Sequence, residues 1–586
     1  SSFGDPADGL PPGRRSRFEG NVISGNRDDG MQINVTEGSR ALLEVNSVAT
    51  VASGSPHAAA STLGSTNISD NGRDGIRIDS SSGRTDVLVT STAPAKTTIS
   101  GNGTNGGGNG IRWNASGDST GTVRITNTDI RGSIRGASED TNNDGILSVA
   151  EDLNNNADID IVDGDGIQAN FTNTTNAQLI VGNAGEGNRI QSNQDDGIAI
   201  TAAGRALFVP PATFIDDVSR PIISITDNVI GGNFNGIAAG NGGDGVSLNV
   251  FGGTAVGIAT ADVDFTLPVL SFNGGVTQIG PIPTFTMTNN VVSNNSDRGV
   301  NLLLTGAAGV RDRSNGLFEF DPVRINLNQN VIDGNGSEGV FYRADADMNQ
   351  SKFVYLDNFT FPNNDRTAGF WEPFEPEFSF LNFGSLNGNT MYMEPYLNLE
   401  SVQNSLFIAT GNTIRNNGFG GATGEGIRIE VGTGAYVAAD LRNNTLGGNL
   451  EADFASSSFL SAGNTFNSAN TSGANTFDYI YLDDIAQMDL RFQNNTGNQI
   501  APSDVGAIYT NLDTLKQSFF GFFPVQDRDA SFFQVDNGPN LNSPNNIFNN
   551  FGATQNIQSA FSTGNYNLRG AADPAWPNPG FTPFLP

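Results

Sequence analysis

The stretch NRIQSNQDDGIAI, residues 188–200, decides the fold of this chain. Its second half alternates apolar and polar residues around Ile198 and Ile200, which is the pattern of a β-strand with one buried face. Asn193 and Gly197 bracket a short polar segment, and Asn and Gly both tolerate the left-handed backbone conformation that tight turns need. The stretch therefore predicts a strand, a tight turn and a second strand.

The same phrase recurs along most of the chain. Further close copies start at Asn21, Asn67, Asn290, Asn330 and Asn412, and looser copies pass through Ile99, Ile130, Ile230 and Leu446. In most copies an Asn follows the first apolar residue at the third position, namely Asn26, Asn71, Asn102, Asn193, Asn233, Asn295, Asn335 and Asn417. The turn glycines are Gly30, Gly75, Gly110, Gly166, Gly197, Gly245, Gly299, Gly339 and Gly426. A third strand after a looser turn is predicted at Leu42–Val45, Val87–Val89, Leu179–Val181 and Leu207–Val209.

Coils built from three such strands stack in parallel at about 4.8 Å per coil. One coil cannot bury its own apolar face, so only the stack is stable. Ile and Val ladders are expected to fill the interior, and Asn ladders to form hydrogen bonds along the axis. No segment keeps a period of 3.6 residues, so helices should be scarce.

These repeats resemble those of right-handed parallel β-helix proteins, the superfold that includes pectate lyases, polygalacturonases, tailspikes and many bacterial surface proteins. The resemblance covers roughly residues 18–500. It implies an all-β, right-handed parallel β-helix, a solenoid with loop insertions and a C-terminal cap region. The superfold hosts many activities, so the resemblance specifies a fold rather than a function.

The repeat divides the chain into three parts. Residues 1–17 are expected to be a tail or short cap, and residues 18–505 the β-helix. Residues 506–586, where Pro and Phe cluster, are expected to be a C-terminal cap or interaction region, because an open β-helix end exposes unpaired backbone groups. Two inserts interrupt the β-helix, a calcium loop at 134–165 and an aromatic-rich segment at 343–405. The aromatic insert is read as a small core on the flank of the β-helix or as a sugar-stacking or subunit contact.

The first insert contains a full calcium-loop motif of the EF-hand type. Its predicted ligands are Asp140, Asn142, Asp144, the Ile146 carbonyl, Ser148 through a water, and bidentate Glu151. A second, weaker copy follows, with Ala157 in place of the turn glycine. Its predicted ligands are Asp152, Asn154, Asn156, the Asp158 carbonyl, Asp160 and Asp163. The segment resembles free-standing or dockerin-type calcium loops, and Ca²⁺ is expected to order it. The alternative is a polar loop without metal.

Acidic residues precede most turn glycines and form a predicted column, consisting of Asp29, Asp74, Asp165, Asp196, Asp244, Glu338 and Glu425. Close carboxylates bind Ca²⁺ or act as acid and base in a glycosidase. The simpler interpretation is turn chemistry with solvated charge. Outward Arg77, Arg112 and Arg428 are placed to neutralise neighbouring acids.

Composition narrows the function classes. The chain has 61 Asp and Glu against 30 Lys and Arg, a net charge of -31, and such a surface disfavours nucleic acid as a partner. It has no cysteine and a single histidine, His57, so thiolate chemistry and a His-rich metal centre are excluded. No run of 18 apolar residues exists, so no transmembrane helix is expected. The chain starts at Ser-Ser, which indicates a removed export signal or an excerpt of a longer protein.

The sequence favours a structural or adhesive role over catalysis. The Gly-His-Gly and Arg-x-Lys motifs of β-helix galacturonidases are absent, and no catalytic residues are assigned. We therefore expect a secreted or cell-surface protein that is stabilised by Ca²⁺ and assembles with itself into a fibre or layer, with surface polysaccharide as a further partner. The alternatives are a polysaccharide-active lyase or glycosidase of the β-helix type and a tailspike-like glycan binder.

Overall fold

In a computed structural model of the chain, the described residues are 16–47, 64–92, 95–136, 164–209, 219–234, 237–252, 281–305, 322–345, 403–418, 426–431 and 435–446, together with the backbone of further strands whose bounds are given below. Three parallel sheets of 14, 13 and 13 strands run through them, and the described residues contain no helix. Successive strands of the chain belong to different sheets in rotation, and one strand from each sheet makes one coil. The chain folds as a right-handed parallel β-helix, so the fold class predicted from the repeats is confirmed.

The sheets are named A, B and C. Sheet A consists of β1 (Ser16–Glu19), β4 (Arg40–Ser47), β7 (Arg84–Ser91), β10 (Thr120–Ile125), β13 (Asn176–Val181), β17 (Ile222–Thr226), β25 (Thr284–Thr288), β30 (Val323–Asn328), β33 (Gln403–Thr410), β36 (Ala435–Arg442), β39 (Ser456–Ala462), β42 (Gln487–Gln493), β45 (Ser531–Val535) and β48 (Tyr566–Leu568). Sheet B consists of β2 (Val22–Ser24), β5 (Asn67–Ser69), β8 (Thr97–Ser100), β11 (Thr128–Arg131), β14 (Arg189–Gln191), β18 (Val229–Gly231), β26 (Val291–Ser293), β31 (Val331–Asp333), β34 (Thr413–Arg415), β37 (Thr445–Leu446), β40 (Thr465–Asn467), β43 (Thr496–Asn498) and β46 (Ile547–Asn549). Sheet C consists of β3 (Met31–Val35), β6 (Ile76–Ser81), β9 (Ile111–Ser116), β12 (Ile167–Thr172), β15 (Ile198–Ala203), β21 (Val246–Phe251), β27 (Val300–Thr305), β32 (Val340–Asp345), β35 (Ile427–Val431), β38 (Leu450–Phe454), β41 (Ile480–Asp483), β44 (Ile508–Asn511) and β47 (Asn556–Gln558).

Four antiparallel pairs lie outside the three sheets. They join β16 (Arg205–Val209) to β24 (Gly275–Ile279), β19 (Asn233–Phe234) to β20 (Ile237–Ala238), β22 (Ala261–Asp264) to β23 (Val269–Phe272), and β28 (Val310–Arg313) to β29 (Leu317–Phe320). The prediction that Leu207–Val209 is a strand of the stack is therefore wrong. Its coil enters sheet A through β17 instead, because a short apolar run specifies a strand but not the strand it pairs with.

The interior is built from columns of like residues in register. The column in sheet B contains Ile23, Ile68, Ile99, Ile130, Ile190, Ile230, Val292, Ile332, Ile414 and Leu446. From Ile68 onward the described members are buried. Burying one such side chain contributes about 2 kcal/mol relative to exposure. The copies of the repeated phrase therefore stack on one another, as the sequence predicts.

Glycine is required in these turns for a different reason from the one expected from the sequence. At Gly197, a Cβ atom would lie 2.6 Å from the Gly245 carbonyl oxygen and 2.7 Å from Asn241 Nδ2. The left-handed conformation lies elsewhere, for example at Ser192 with φ 54° and Asn294 with φ 57°, directly before the asparagines of the turn. The regular recurrence of the turn glycines thus reflects close approach of neighbouring coils rather than positive φ.

Strands of all three sheets also occur beyond residue 505. β45, β46, β47 and β48 extend the sheets within the range expected to be a C-terminal cap or interaction region. Whether that range also caps the stack stays a prediction.

Candidate functional site: the turns and corners of the β-helix

The predicted calcium ligands, from Asp140 to Asp163, lie outside the described residues. The two ends of their insert are described, and both contact the turn of the following coil. The Arg135 N–H donates to Gln194 Oε1 at 3.1 Å, and the Gly164 carbonyl accepts the Asp195 N–H at 3.3 Å. The insert thus leaves and returns at one point between sheets B and C, and calcium binding stays a prediction.

The aromatic-rich insert is described only at its ends. β32 runs to Asp345 and β33 begins at Gln403, so the first and last residues of the predicted range 343–405 belong to strands. The residues between these two strands lie outside the described part of the chain, as does His57.

Asparagines at the corner between sheets B and C form the first side-chain ladder. Where two such asparagines lie in neighbouring coils, Nδ2 of one donates to Oδ1 of the next, at 2.8 Å from Asn71 to Asn102 and at 2.9 Å from Asn295 to Asn335. The ladder contains Asn26, Asn71, Asn102, Asn193, Asn241, Asn295, Asn335 and Asn417. The same Oδ1 atoms also accept a backbone N–H, which satisfies the buried turn.

Two positions of this ladder differ from the prediction. Asn233 is not a member, because the β19–β20 hairpin begins there and Asn241 takes the position in the ladder. Ser133 stands between Asn102 and Asn193, and its buried Oγ has no hydrogen-bond partner among the described residues. The ladder is therefore interrupted at one coil.

A second ladder runs along the corner between sheets A and B. It contains Asn188, Asn228, Asn290, Asn330, Asn412 and Asn444. At Asn290, Nδ2 donates both to Asn330 Oδ1 at 3.0 Å and to the Ile225 carbonyl at 2.8 Å, while Oδ1 accepts the Asn228 N–H at 2.9 Å. Most of these asparagines are the first residue of a copy of the repeated phrase, so this position in the sequence could have predicted the ladder. Asn67 is an exception, because Thr66 occupies the equivalent position and accepts the Gly20 N–H through its hydroxyl at 3.0 Å.

The acids before the turn glycines do form a column. In each coil a side-chain oxygen accepts the backbone N–H of the equivalent residue in the next coil. The acceptor and donor pairs are Asp29 and Asp74 at 3.1 Å, Asp74 and Asn109 at 2.8 Å, Asn109 and Asp165 at 2.8 Å, Asp165 and Asp196 at 3.0 Å, Asp196 and Asp244 at 2.6 Å, and Asp244 and Arg298 at 2.9 Å. These side chains thus make the turn hydrogen bonds that the simpler interpretation of the sequence predicts. Most of the column is buried rather than solvated, however, and Asp165 is only 1% exposed. Glu425 lies outside the described residues.

Burial raises the pKa of several acids in this column. Loss of hydration and the neighbouring Asp74 raise the pKa of Asp29 to about 6. Burial likewise raises the pKa of Asp244 to about 6 and outweighs its hydrogen bonds from Asn301 and from the Arg298 backbone. At Glu338, burial acts in the same direction, but hydrogen bonds from Ser337 and Arg298 outweigh it and lower the pKa.

Two arginines flank the first acids of the column on sheet C. Arg77 Nε lies 2.8 Å from Asp79 Oδ2, and its charge lowers the pKa values of both Asp29 and Asp74. Arg112, directly beside Arg77 in the register of the sheet, lowers the pKa of Asp74 more strongly. Burial still dominates, so the pKa of Asp74 stays above its ordinary value.

The third corner, between sheets C and A, carries insertions on four successive coils. They span 204–221, 252–283, 306–322 and 346–402, whereas the coil before them turns within 173–175. Strands from three of these insertions lie together, since β24 pairs with β16 and also contacts β28. The aromatic-rich segment leaves the stack at the same corner, next along the chain after the β28–β29 hairpin. This corner is the candidate interaction surface.

Among the described residues, no three Asp, Glu, His or Cys side chains converge as a metal site would require. The described part also contains no helix that is long and apolar enough to cross a membrane. No known family model matches this chain, and no curated protein matches its sequence.

Proposed function

We propose that this chain is a structural or adhesive component of a cell surface or of extracellular material, held in shape by calcium. The observation that carries the proposal is the uninterrupted stack. Fourteen strands of sheet A at about 4.8 Å each give a rod on the order of 60 Å long, with four successive insertions on the corner between sheets C and A. Such a rod suits the display of a contact surface at a fixed distance from an attachment point.

The use of the polar turn residues also supports this role. Asn, Thr and Asp side chains are occupied by coil-to-coil hydrogen bonds in three columns, which stiffens the stack. The net charge of -31 suits surroundings rich in divalent cations. Calcium at the 140–163 loops would order an insert whose two ends are already fixed to the next coil.

Electron microscopy of the purified chain with Ca²⁺ and with chelator tests the assembly. We expect rods joined end to end or side by side in Ca²⁺, separated by chelation. Isolated rods under both conditions would contradict self-assembly and would leave a polysaccharide contact as the adhesive function to be assayed.

The calcium component has its own test. Asp140→Ala with Glu151→Ala should make the insert protease-sensitive in Ca²⁺, to the degree that we expect of the unaltered chain in chelator. Asp28→Ala, an exposed acid on another turn, is the matched control. If the protease sensitivity of the insert in the unaltered chain is the same with Ca²⁺ and with chelator, the proposal that calcium orders the insert is wrong.

A polysaccharide-active enzyme is the second candidate function, favoured by the group of Asp29, Asp74, Arg77 and Arg112. Carboxyl groups with raised pKa values beside guanidinium groups are suited to general acid–base chemistry on an acidic sugar. A depolymerisation screen on anionic polysaccharides tests it. Arg112→Ala should abolish any activity found, whereas Arg428→Ala, in the same outward column but paired with Glu430, should not.

A further inference from the structure

We propose that, among the described Asn-Gly pairs, Asn105 is the one that undergoes spontaneous deamidation, and that stacking of the coils protects the other described pairs from the same reaction. In deamidation, the backbone nitrogen of the following residue attacks the Asn carboxamide carbon. A new C–N bond forms, the proton of the attacking backbone N–H is transferred to the amide nitrogen, the bond to that nitrogen breaks, and ammonia leaves. Water then opens the cyclic imide to aspartate or isoaspartate.

Glycine after asparagine favours this attack, because it has no side chain and reaches unusual backbone conformations easily. The described residues contain such pairs at Asn71, Asn102, Asn105, Asn109, Asn241, Asn335 and Asn417. By sequence alone, all of them are equally susceptible. The structure separates them into two classes.

In the protected class, the attacking nitrogen is engaged. The Gly72 N–H donates to the Asn26 carbonyl at 2.8 Å, and the Gly242 N–H donates to the Asn193 carbonyl at 2.9 Å. The glycines after Asn102, Asn109, Asn335 and Asn417 donate in the same way to carbonyls of a neighbouring coil, at 2.8–3.0 Å. Attack would require this coil-to-coil hydrogen bond to break first.

The carboxamides of this class are engaged as well. Asn241 Nδ2 donates to Asn295 Oδ1 at 2.8 Å, and its own Oδ1 accepts from Asn193. Asn109 is fully buried, and its Oδ1 accepts the Asp165 N–H. Rotation of either carboxamide toward the backbone would leave buried donors and acceptors unpaired, at a cost of about 1–3 kcal/mol for each group.

Asn105 has neither protection. It is exposed, in the turn that precedes the Gly106–Gly108 run. Among the described residues its side-chain amide makes a single hydrogen bond, a long one of 3.4 Å to the Arg27 carbonyl. Among the described residues, the Gly106 N–H donates to no acceptor. A Cβ atom at Gly106 would meet nothing within 4 Å, so this side of the turn is open.

Deamidation would also have different structural consequences at Asn105 and in the ladders. Aspartate at position 105 adds one charge to an exposed turn and leaves both ladders intact. Aspartate in the ladder would remove the Nδ2 donor that links two coils and would place a carboxylate in the buried turn. Protection of the ladder asparagines therefore preserves the fold as the protein ages.

Peptide mapping by mass spectrometry tests the proposal. The full chain is incubated in mildly alkaline buffer, folded as verified by circular dichroism, and in parallel unfolded in urea. In the folded chain we expect the mass gain of deamidation at Asn105, at least about tenfold faster than at each of the six protected sites, because reaction there requires local opening. In urea the seven rates should become similar, and Asn105→Gln should remove the dominant product among these seven sites from the folded chain only.

Two results would overturn it. One is a folded chain in which a ladder asparagine reacts as fast as Asn105. The other is an Asn105 rate in the folded chain no higher than the rates of the six protected sites.

Discussion

Replacing Asp244 by asparagine is expected to stabilise the folded chain at neutral pH. Asp244 is 6% exposed, and burial raises its pKa to about 6. Its Oδ1 accepts the Arg298 N–H at 2.9 Å and its Oδ2 accepts Asn301 Nδ2 at 2.7 Å. The buried Asn301 Oδ1 has no hydrogen-bond partner among the described residues. An amide at position 244 would keep the first bond and, after the Asn301 amide turns over, donate to this oxygen.

The magnitude follows from the pKa. Asp244 binds a proton at about pH 6 when folded and near its ordinary 3.8 when unfolded. At pH 7 the ionised carboxylate therefore costs the fold up to about 3 kcal/mol. The cost diminishes as the pH falls through 6 and is fully removed below about 4, so this group makes the unaltered chain more stable in mild acid. Asp297 and Arg298, the charged groups facing it, act in opposite directions.

The assay compares urea unfolding of the unaltered chain and Asp244→Asn at pH 7 and pH 5, together with hydrogen exchange of the Arg298 amide. The variant should be more stable at pH 7, and its advantage should shrink at pH 5. The chain offers a natural precedent in Asn109, which occupies the same column and accepts the Asp165 N–H at 2.8 Å. A variant that is no more stable at pH 7, or whose advantage is the same at both pH values, would refute the reasoning.

Three further predictions concern the ladders and turns. Ser133→Asn should complete the first ladder by accepting from Asn102 and raise the free energy of unfolding by about 1 kcal/mol, as a higher urea midpoint would reveal; an unchanged midpoint would contradict it. Gly197→Ala places a methyl group 2.6 Å from the Gly245 carbonyl oxygen and should cost about 3 kcal/mol or prevent folding, with retention of the normal melting temperature as the opposing result. Asn290→Ala removes a fully bonded amide and should cost about 3 kcal/mol, localised by faster exchange of amides in the adjacent coils.

The repeated phrase was sufficient to predict the three-strand coil, because apolar alternation and turn residues are local properties. The Ile190 column and the pairing of Asn193 across coils are confirmed. The predictions that were wrong concern which strand or side chain a residue pairs with, and the local sequence does not specify this. Asn233 fits the spacing of the ladder, but the β19–β20 hairpin displaces it, and Asn241 takes its position.

The chemistry of the turns was only partly predictable. Spacing located the acid column, but it did not predict that the carboxylates of Asp165 and Asp244 would be buried and that each would accept a backbone N–H. Burial depends on how closely neighbouring coils approach, which the turn glycines control. The predicted calcium ligands stay a prediction, since their loops lie outside the described residues.

The direction of the hydrogen bonds gives this rod an uneven mechanical response. In a parallel β-helix the bonds between coils run along the long axis, and one junction consists of five, three and six residue pairs in the three sheets. Tension along the axis therefore acts on every junction in series, and the stack opens first at its weakest coil. Bending and compression instead press packed side chains together. A tether attached along the flank would distribute load over many junctions, whereas a tether at the two ends would not.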